Sequence, residues 1–162
     1  AVIVGDQTQP VYGGNQFYAP GRPRSWFNSS TGYGTLGYGL PAAIGAKLAA
    51  PDRPVVVLIG DGGIQFTLPE LAAAVEADAP VVVLLWNNRG YGEIRTYMAE
   101  AGIAPVGVDL HTPDFLELAR AFGCAAGRAA SAEQLRRLLS AAAGQRRPWL
   151  IEIVENDAWL AG

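Results

Sequence analysis

The fold of this chain is decided by the stretch Val55-Val56-Val57-Leu58-Ile59-Gly60-Asp61-Gly62-Gly63. A second apolar block covers residues 81–86 and is followed by Asn87 and Asn88. Both blocks are short, continuous and rich in β-branched or aliphatic residues, which is typical of strands buried on both faces of a parallel sheet. Because the carboxyl ends of parallel strands meet at one edge of a sheet, we expect Asp61 and Asn88 to lie close together there.

The residue types at this edge indicate a kind of site. Carboxylate and amide oxygens, as supplied by Asp61 and Asn88, are ligands for a hard cation such as Mg²⁺. Gly62 and Gly63 have no side chains, so their backbone N–H groups can approach an anion closely at the start of a helix. The sequence therefore predicts a metal–diphosphate site.

The rest of the chain alternates between strand-like and helical patterns. Further strand-like blocks occur at residues 2–4, 124–127 and 149–154. Four helices are predicted. The first covers residues 40–50, and the second follows a capping box formed by Thr67 and Glu70. The third runs from residues 112–114 to Gly123, and the fourth begins after Ser131, which forms a cap with Gln134. Residues 8–39 and 103–111 are interpreted as irregular loops. This alternation predicts a three-layer α/β/α fold, with a doubly wound, mostly parallel sheet of about six strands.

Composition limits the classes of protein that are compatible with the chain. Its 162 residues predict a single domain, residues 1–162. A net charge of −3 without a basic run argues against a nucleic-acid surface. The apolar blocks are well short of the ~20 residues of a membrane helix. A single cysteine, Cys124, excludes an internal disulfide and favours a cytoplasmic location. Because the chain begins inside a strand-like block without Met, we expect a segment of a longer, multidomain protein.

A competing motif lies upstream of the first block. Residues 32–37 read Gly-Tyr-Gly-Thr-Leu-Gly, which satisfies the dinucleotide-binding pattern and leaves an NAD-dependent dehydrogenase as an alternative. Three observations weigh against it. Residues 26–31 form a weak, polar strand, Asp61 is followed by two glycines that a ribose-binding acid does not need, and Asn87-Asn88 has no role in dinucleotide binding.

The spacing from Gly60-Asp61-Gly62 to Asn87-Asn88 resembles the signature of thiamine diphosphate enzymes. Residues 31–45 resemble the segment that precedes this signature in the 2-oxo acid decarboxylase and acetolactate synthase group. The resemblance covers nearly the whole chain and corresponds to the C-terminal, diphosphate-binding domain of that group. It implies the thiamine diphosphate-binding fold, with thiamine diphosphate and Mg²⁺ as cofactors.

The resemblance also implies roles for individual residues. Mg²⁺ would be bound by the side chains of Asp61 and Asn88 and by the carbonyl of Gly90. The diphosphate would be contacted by Thr8, Gln9, Gly62, Gly63 and Tyr91. The aminopyrimidine would accept a hydrogen bond from the Leu36 N–H and donate one to the Gly34 carbonyl, with the Leu36 side chain wedged beneath the bent cofactor.

The resemblance places one catalytic group outside this chain. The family activates its cofactor with a glutamate from a pyrimidine-binding domain, and no residue here resembles that segment. We therefore expect the catalytic residue on another domain of the same or a partner subunit, in a homodimer or homotetramer, with activity only when that domain is present.

The expected activity is lyase chemistry, the decarboxylation of a small 2-oxo acid. Some relatives carry a catalytic glutamate at the position that aligns with Ile94, and the aliphatic residue here removes that acid. Glu93 aligns with a usually aliphatic position that faces the substrate, so it is predicted to bind a cationic, guanidino side chain. A surface glutamate, or one paired with Arg95, is the alternative interpretation of Glu93. An acetolactate synthase-type carboligase is the alternative activity.

Overall fold

The computed structural model of the protein describes residues 1–160 and contains one six-stranded sheet in which every strand pairing is parallel. The strand order is β2-β1-β3-β4-β6-β5. Long β-branched runs form the inner strands, since these side chains pack well on both faces of a sheet. The strands are β1 (Val2–Gly5), β2 (Trp26–Asn28), β3 (Val55–Gly60), β4 (Val81–Asn87), β5 (Ala125–Arg128) and β6 (Trp149–Val154).

Helices cover both faces of the sheet and make the fold three-layered. Alternate residues of β4 point to opposite faces, so Val81, Val83 and Leu85 belong to one core cluster and Val82 to another. The expected three-layer α/β/α fold with about six strands is confirmed. The α-helices are α1 (Gln9–Phe17), α2 (Gly39–Ala49), α3 (Asp61–Phe66), α4 (Glu70–Glu76), α5 (Gly92–Glu100), α6 (Phe115–Ala121) and α7 (Ala132–Ala143).

Residues 8–39 are more regular than the sequence predicted. They contain helix α1, which has a proline in its first turn, and the three-residue edge strand β2. Gly14 looked like a loop residue, but it is needed for packing, because a Cβ there would overlap the ring of Trp26. The interpretation of this region as an irregular loop was therefore wrong over residues 9–17 and 26–28.

The predicted starts of α6 and α7 both carry side-chain caps. The Asp114 carboxylate accepts hydrogen bonds from two backbone N–H groups of α6, and the Ser131 hydroxyl accepts one from the Gln134 N–H. The capping box of Thr67 and Glu70 was wrong. Thr67 Oγ1 donates instead to the Gly37 carbonyl at 3.0 Å, and α4 begins only at Glu70.

The strand order places a topological switch point beside β1. The chain runs from β1 to β2 on one side, and then returns to β3 on the other side. In parallel α/β sheets, ligands bind beyond the carboxyl ends of the strands at such a point. The residues that follow β1 and β3, including Thr8 and Asp61, lie there. Over residues 1–160, no helix has the length and hydropathy that a bilayer crossing requires.

Candidate functional site

A cavity of about 290 Å³ opens at the carboxyl edge of the sheet, next to the switch point. Its walls come from the segments after β1, β3 and β4 and from the turn before α2. Residues distant in sequence thus meet where the topology predicts a ligand. All eleven candidate site residues lie in its walls, namely Thr8, Gln9, Gly34, Leu36, Asp61, Gly62, Gly63, Asn88, Gly90, Tyr91 and Glu93.

Asp61 is the first residue of α3 and is only 1% exposed. Its Oδ1 accepts a hydrogen bond from the Asn88 N–H at 3.3 Å, whereas its Oδ2 has no hydrogen-bond partner. Burial raises the pKa of Asp61, and backbone N–H groups, that of Asn88 foremost, oppose this rise. A buried negative charge is costly unless an opposite charge lies beside it. A cation bound at the free Oδ2 atom would supply that charge, so this carboxylate is suited to cation binding.

Asn88 follows β4, the strand that pairs with β3. Its side-chain amide packs against Gly92, where a Cβ would collide with Nδ2. The Oδ1 atom of Asn88 is buried and has no hydrogen-bond partner. Buried polar atoms normally have partners, so the two unpaired oxygens of Asp61 and Asn88 indicate that a ligand completes the site.

Asp61 and Asn88 together supply one carboxylate and one amide oxygen. In the part of the chain that the structure describes, no three His, Cys, Asp or Glu side chains cluster as they would around a fully protein-bound metal. A hard cation with few protein ligands takes the rest of its coordination from water or from ligand phosphates. Asp61 and Asn88 therefore fit a cation that is shared with a phosphorylated cofactor.

Gly62 and Gly63 are buried in the first turn of α3. A Cβ on Gly62 would lie 2.7 Å from Cε1 of Tyr91, and one on Gly63 would lie 2.9 Å from Oδ1 of Asp6. Their lack of side chains thus permits close packing by Tyr91 on one side and Asp6 on the other.

Asp6 is a buried carboxylate that the sequence analysis did not single out. Its two oxygens accept hydrogen bonds at 2.8 Å from the N–H groups of Gln7 and Gly39. Burial raises its pKa, and these backbone hydrogen bonds oppose the rise. Asp6 therefore joins the end of β1 to the start of α2 behind the cavity. The signal available in the sequence was an acid placed directly after a strand.

Two further segments complete the walls. Gly90 has a φ of 157°, and a Cβ there would overlap the Val108 carbonyl, to which the Tyr91 N–H donates at 2.8 Å. Gly34 has a φ of 65° and donates its N–H to the Ser29 carbonyl at 3.1 Å. Both positions require glycine, the first for space and the second for its left-handed backbone.

Glu93 lies in the first turn of α5 and is half-buried. Its Oε2 accepts a hydrogen bond from Gln9 Nε2 at 3.2 Å. Arg95, the expected alternative partner, is instead 2.7 Å from Asp109. The wall around Glu93 also includes residues that the sequence analysis missed, Tyr12 of α1 and Tyr97 of α5. Their signal was weak, because neither helix α1 nor helix α5 was predicted from the sequence.

A buried network supports the Asn88 segment from behind. Glu152 of β6 is 3% exposed, and it accepts hydrogen bonds from Asn87 Nδ2 at 2.7 Å and Arg128 Nε at 2.8 Å. Asn87 Oδ1 in turn accepts from the Arg89 N–H at 3.1 Å. Asn87 therefore fixes the turn that carries Asn88, and Glu152 fixes Asn87.

A parallel α/β sheet with an unpaired carboxylate oxygen, an unpaired amide oxygen and close-packed glycines at its carboxyl edge is typical of a domain that binds a phosphorylated cofactor. The family model described as "Thiamine pyrophosphate enzyme, C-terminal TPP binding domain" matches residues 6–153. The chain belongs to this family. The expected resemblance to the thiamine diphosphate enzymes is thereby confirmed, and membership decides against the dinucleotide-binding interpretation of residues 32–37.

Individual relatives agree with this membership. The chain is 53% identical over 154 residues to "Probable 2-ketoarginine decarboxylase AruI" of Pseudomonas aeruginosa, covering 94% of this chain and 27% of that protein. It is 38% identical over 144 residues to "Probable acetolactate synthase large subunit" of Methanocaldococcus jannaschii, covering 88% and 24%. The solved structure of a thiamine diphosphate-dependent 4-hydroxybenzoylformate decarboxylase from Rhodococcus jostii superimposes with a TM-score of 0.87 at 32% identity, covering 96% and 29%. The chain thus spans less than a third of the length of these relatives.

Proposed function

We propose that this chain is the diphosphate-binding part of a thiamine diphosphate- and Mg²⁺-dependent lyase that decarboxylates a 2-oxo acid. The observation that carries the proposal is the pair of buried, unpaired oxygens, Asp61 Oδ2 and Asn88 Oδ1, in the cavity wall of a thiamine pyrophosphate family member. When bound, the cofactor supplies an electron sink for the loss of CO₂.

The residues of the chain have binding and orienting roles in this proposal. Mg²⁺ would be held by Asp61, Asn88 and the Gly90 carbonyl. The diphosphate would be contacted by Thr8, Gln9, Gly62, Gly63 and Tyr91, and the aminopyrimidine by the backbone of Gly34 and Leu36. The half-buried Leu36 side chain would set the bend of the cofactor, and fixing two reacting groups close together lowers the barrier.

The remaining parts of the active site are proposed to come from outside this chain. The activating glutamate would belong to a pyrimidine-binding domain of the same or a partner subunit in a homodimer or homotetramer, in the cytoplasm. Exposed aromatic side chains support such a contact, since Tyr33 is fully exposed next to Gly34 and Phe66 is 61% exposed at the end of α3.

The proposed substrate is a 2-oxo acid with a guanidino side chain. Glu93 in the cavity wall supports this choice, as does the 53% identity to a protein named for 2-ketoarginine. An acetolactate synthase-type carboligase is the second candidate, favoured by the similarity to the M. jannaschii protein. The two differ in their product, which is an aldehyde for the decarboxylase and a condensation product with a second oxo acid for the carboligase.

The test uses the complete protein that contains this chain. Calorimetry should detect thiamine diphosphate binding that depends on Mg²⁺, and no binding of NAD. CO₂ release should then be measured over a panel of 2-oxo acids, with product analysis for carboligation. Binding of NAD without Mg²⁺ dependence, or no CO₂ release from any 2-oxo acid by the cofactor-loaded protein, would contradict the proposal.

A further inference from the structure

We propose that Tyr12, Tyr97 and Glu93 form a subsite that binds the cationic end of a substrate side chain. The proposal rests on the proposed function, because that function identifies the ligand as the substrate. The geometry that supports the subsite belongs to this chain alone. An open groove adjoins the main cavity and is lined by Gln9, Tyr12, Gly13, Gln16, Glu93 and Tyr97. Four of these residues also line the main cavity, so the two spaces are continuous.

Glu93 stands at the junction of the two spaces. Among the residues that the structure describes, Glu93 is the one charged residue in the wall of the groove, and the main cavity adds Asp61. Neither wall includes a Lys, Arg or His among the residues that the structure describes. Arg95, the basic residue nearest along α5, is bound to Asp109. The negative charge of Glu93 is therefore not neutralised by a basic side chain of the wall.

The two tyrosines add to the preference for a cation. Tyr12 comes from α1 and Tyr97 from α5, so the groove runs between these two helices. A hydrogen bond to Glu93, followed by its charge, raises the pKa of Tyr97. Burial, followed by the charge of Glu93, raises the pKa of Tyr12. Both phenols therefore stay neutral near pH 7, and neutral aromatic rings beside a carboxylate favour a delocalised cation.

The carboxylate and the two aromatic rings of this subsite favour a guanidinium over an ammonium. A guanidinium is planar, is weakly hydrated, stacks on aromatic rings and can donate two parallel hydrogen bonds to a carboxylate. Gln9 Nε2 donates to Glu93 Oε2 at 3.2 Å, which restricts the rotation of the carboxylate before a ligand arrives. A held carboxylate loses less entropy on binding than a free one.

The kinetic test compares Glu93→Gln with Glu100→Gln in the complete protein. Glu100 is an exposed acid at the end of the same helix and lines neither space. Substrates are 2-oxo acids of equal chain length that end in a guanidinium, an ammonium, a neutral ureido group or a methyl group. Glu93→Gln should lower kcat/KM for the guanidino acid by roughly tenfold to a hundredfold and for the methyl acid by no more than about twofold, because the lost hydrogen bond is charge-assisted.

The aromatic part of the subsite has its own comparison. Tyr97→Leu should reduce the preference for the guanidino over the ammonium substrate, whereas Tyr18→Leu, an exposed tyrosine outside both walls, should leave it unchanged. Equal losses for all four substrates in Glu93→Gln, or the same selectivity change in Glu100→Gln, would overturn the proposal.

A binding measurement separates this proposal from the proposed function. Butylguanidinium is titrated into the complete protein and followed by ligand-observed NMR. Binding that is lost in Glu93→Gln supports the subsite even if no 2-oxo acid is decarboxylated, in which case only the proposed function fails. CO₂ release without any charge preference, together with no butylguanidinium binding, would overturn the subsite and leave the decarboxylase proposal standing.

Discussion

Replacing Glu152 tests whether the site depends on a residue that does not line the cavity. Glu152 accepts hydrogen bonds from Asn87 and from Arg128, and Asn87 precedes the cation-binding candidate Asn88. Glu152→Gln keeps an acceptor for Asn87 and loses only the ion pair with Arg128, whose side chain is 53% exposed. The Arg128 side of this pair is half-exposed, and a neutral amide removes the cost of burying the Glu152 charge together with the attraction, so this variant should lose no more than about 1 kcal/mol in the free energy of unfolding.

Glu152→Met has a similar length but removes both interactions. The buried Asn87 amide then has no acceptor, which costs about 1 to 3 kcal/mol in addition. The freed amide can also reorient, which releases Oδ1 of Asn87 from the Arg89 N–H and loosens the turn that carries Asn88. We expect the Mg²⁺ concentration for half-maximal cofactor binding to rise about tenfold, which corresponds to ~1.4 kcal/mol.

The assay is calorimetric titration of thiamine diphosphate into the complete protein at a series of Mg²⁺ concentrations, with thermal unfolding measured in parallel. Arg128→Gln is the matched control, because it breaks the ion pair and leaves Asn87 bound to Glu152. It should lower the unfolding temperature without changing the Mg²⁺ requirement. An unchanged Mg²⁺ requirement in Glu152→Met, or an equal rise in Arg128→Gln, would refute the positioning role.

Other substitutions test the cavity and the core. Burial raises the pKa of the Asp61 carboxyl, so the folded state binds its proton more tightly than the unfolded state does, and the stability of the cofactor-free protein falls as pH rises through the raised pKa. Asp61→Asn should flatten this fall in pH-dependent unfolding and leave the part due to Asp6, whose pKa is also raised. The same variant should abolish Mg²⁺-dependent cofactor binding. Gly63→Ala places a Cβ 2.9 Å from Asp6 Oδ1 and should cost about 1 to 3 kcal/mol in denaturant unfolding, whereas Gly45→Ala, with open space in α2, should gain about 0.5 to 1 kcal/mol. Cys124 is buried with its pKa raised to about 11, so alkylation at pH 8 should require unfolding; rapid labelling of the native protein would contradict this.

The central sheet could be predicted because its strands carry their own signal. Residues 55–59 and 81–86 are long enough and apolar enough to be buried strands in any parallel sheet. Strand β2 has only three residues at an edge, with a polar residue at its end, and helix α1 contains two adjacent glycines. Gly14 lowers helix propensity but is required by the Trp26 ring, so tertiary packing outweighs the local preference there.

Part of the site could be predicted from the sequence, and part of it could not. Asp61 and Asn88 could be placed together because both follow neighbouring strands, and sheet topology alone determines that meeting. Tyr12 depends on a helix that the sequence did not reveal, and Glu152 acts through Asn87 from a strand far along the chain. Contacts of this kind depend on the register between strands β4 and β6, which pairs Leu85 with Glu152. A single sequence does not determine this register.

The unpaired oxygens of Asp61 and Asn88 also have a consequence for the amount of protein that a cell contains. Each buried oxygen without a partner costs about 1 to 3 kcal/mol, out of a total stability of about 5 to 15 kcal/mol. A ligand whose free concentration is a hundred times its Kd stabilises the folded state by about 2.7 kcal/mol. Newly made chains that find no ligand therefore unfold more often and reach proteases sooner. If the proposed cofactor and cation are this ligand, the abundance of the protein follows their supply, without any change in gene expression.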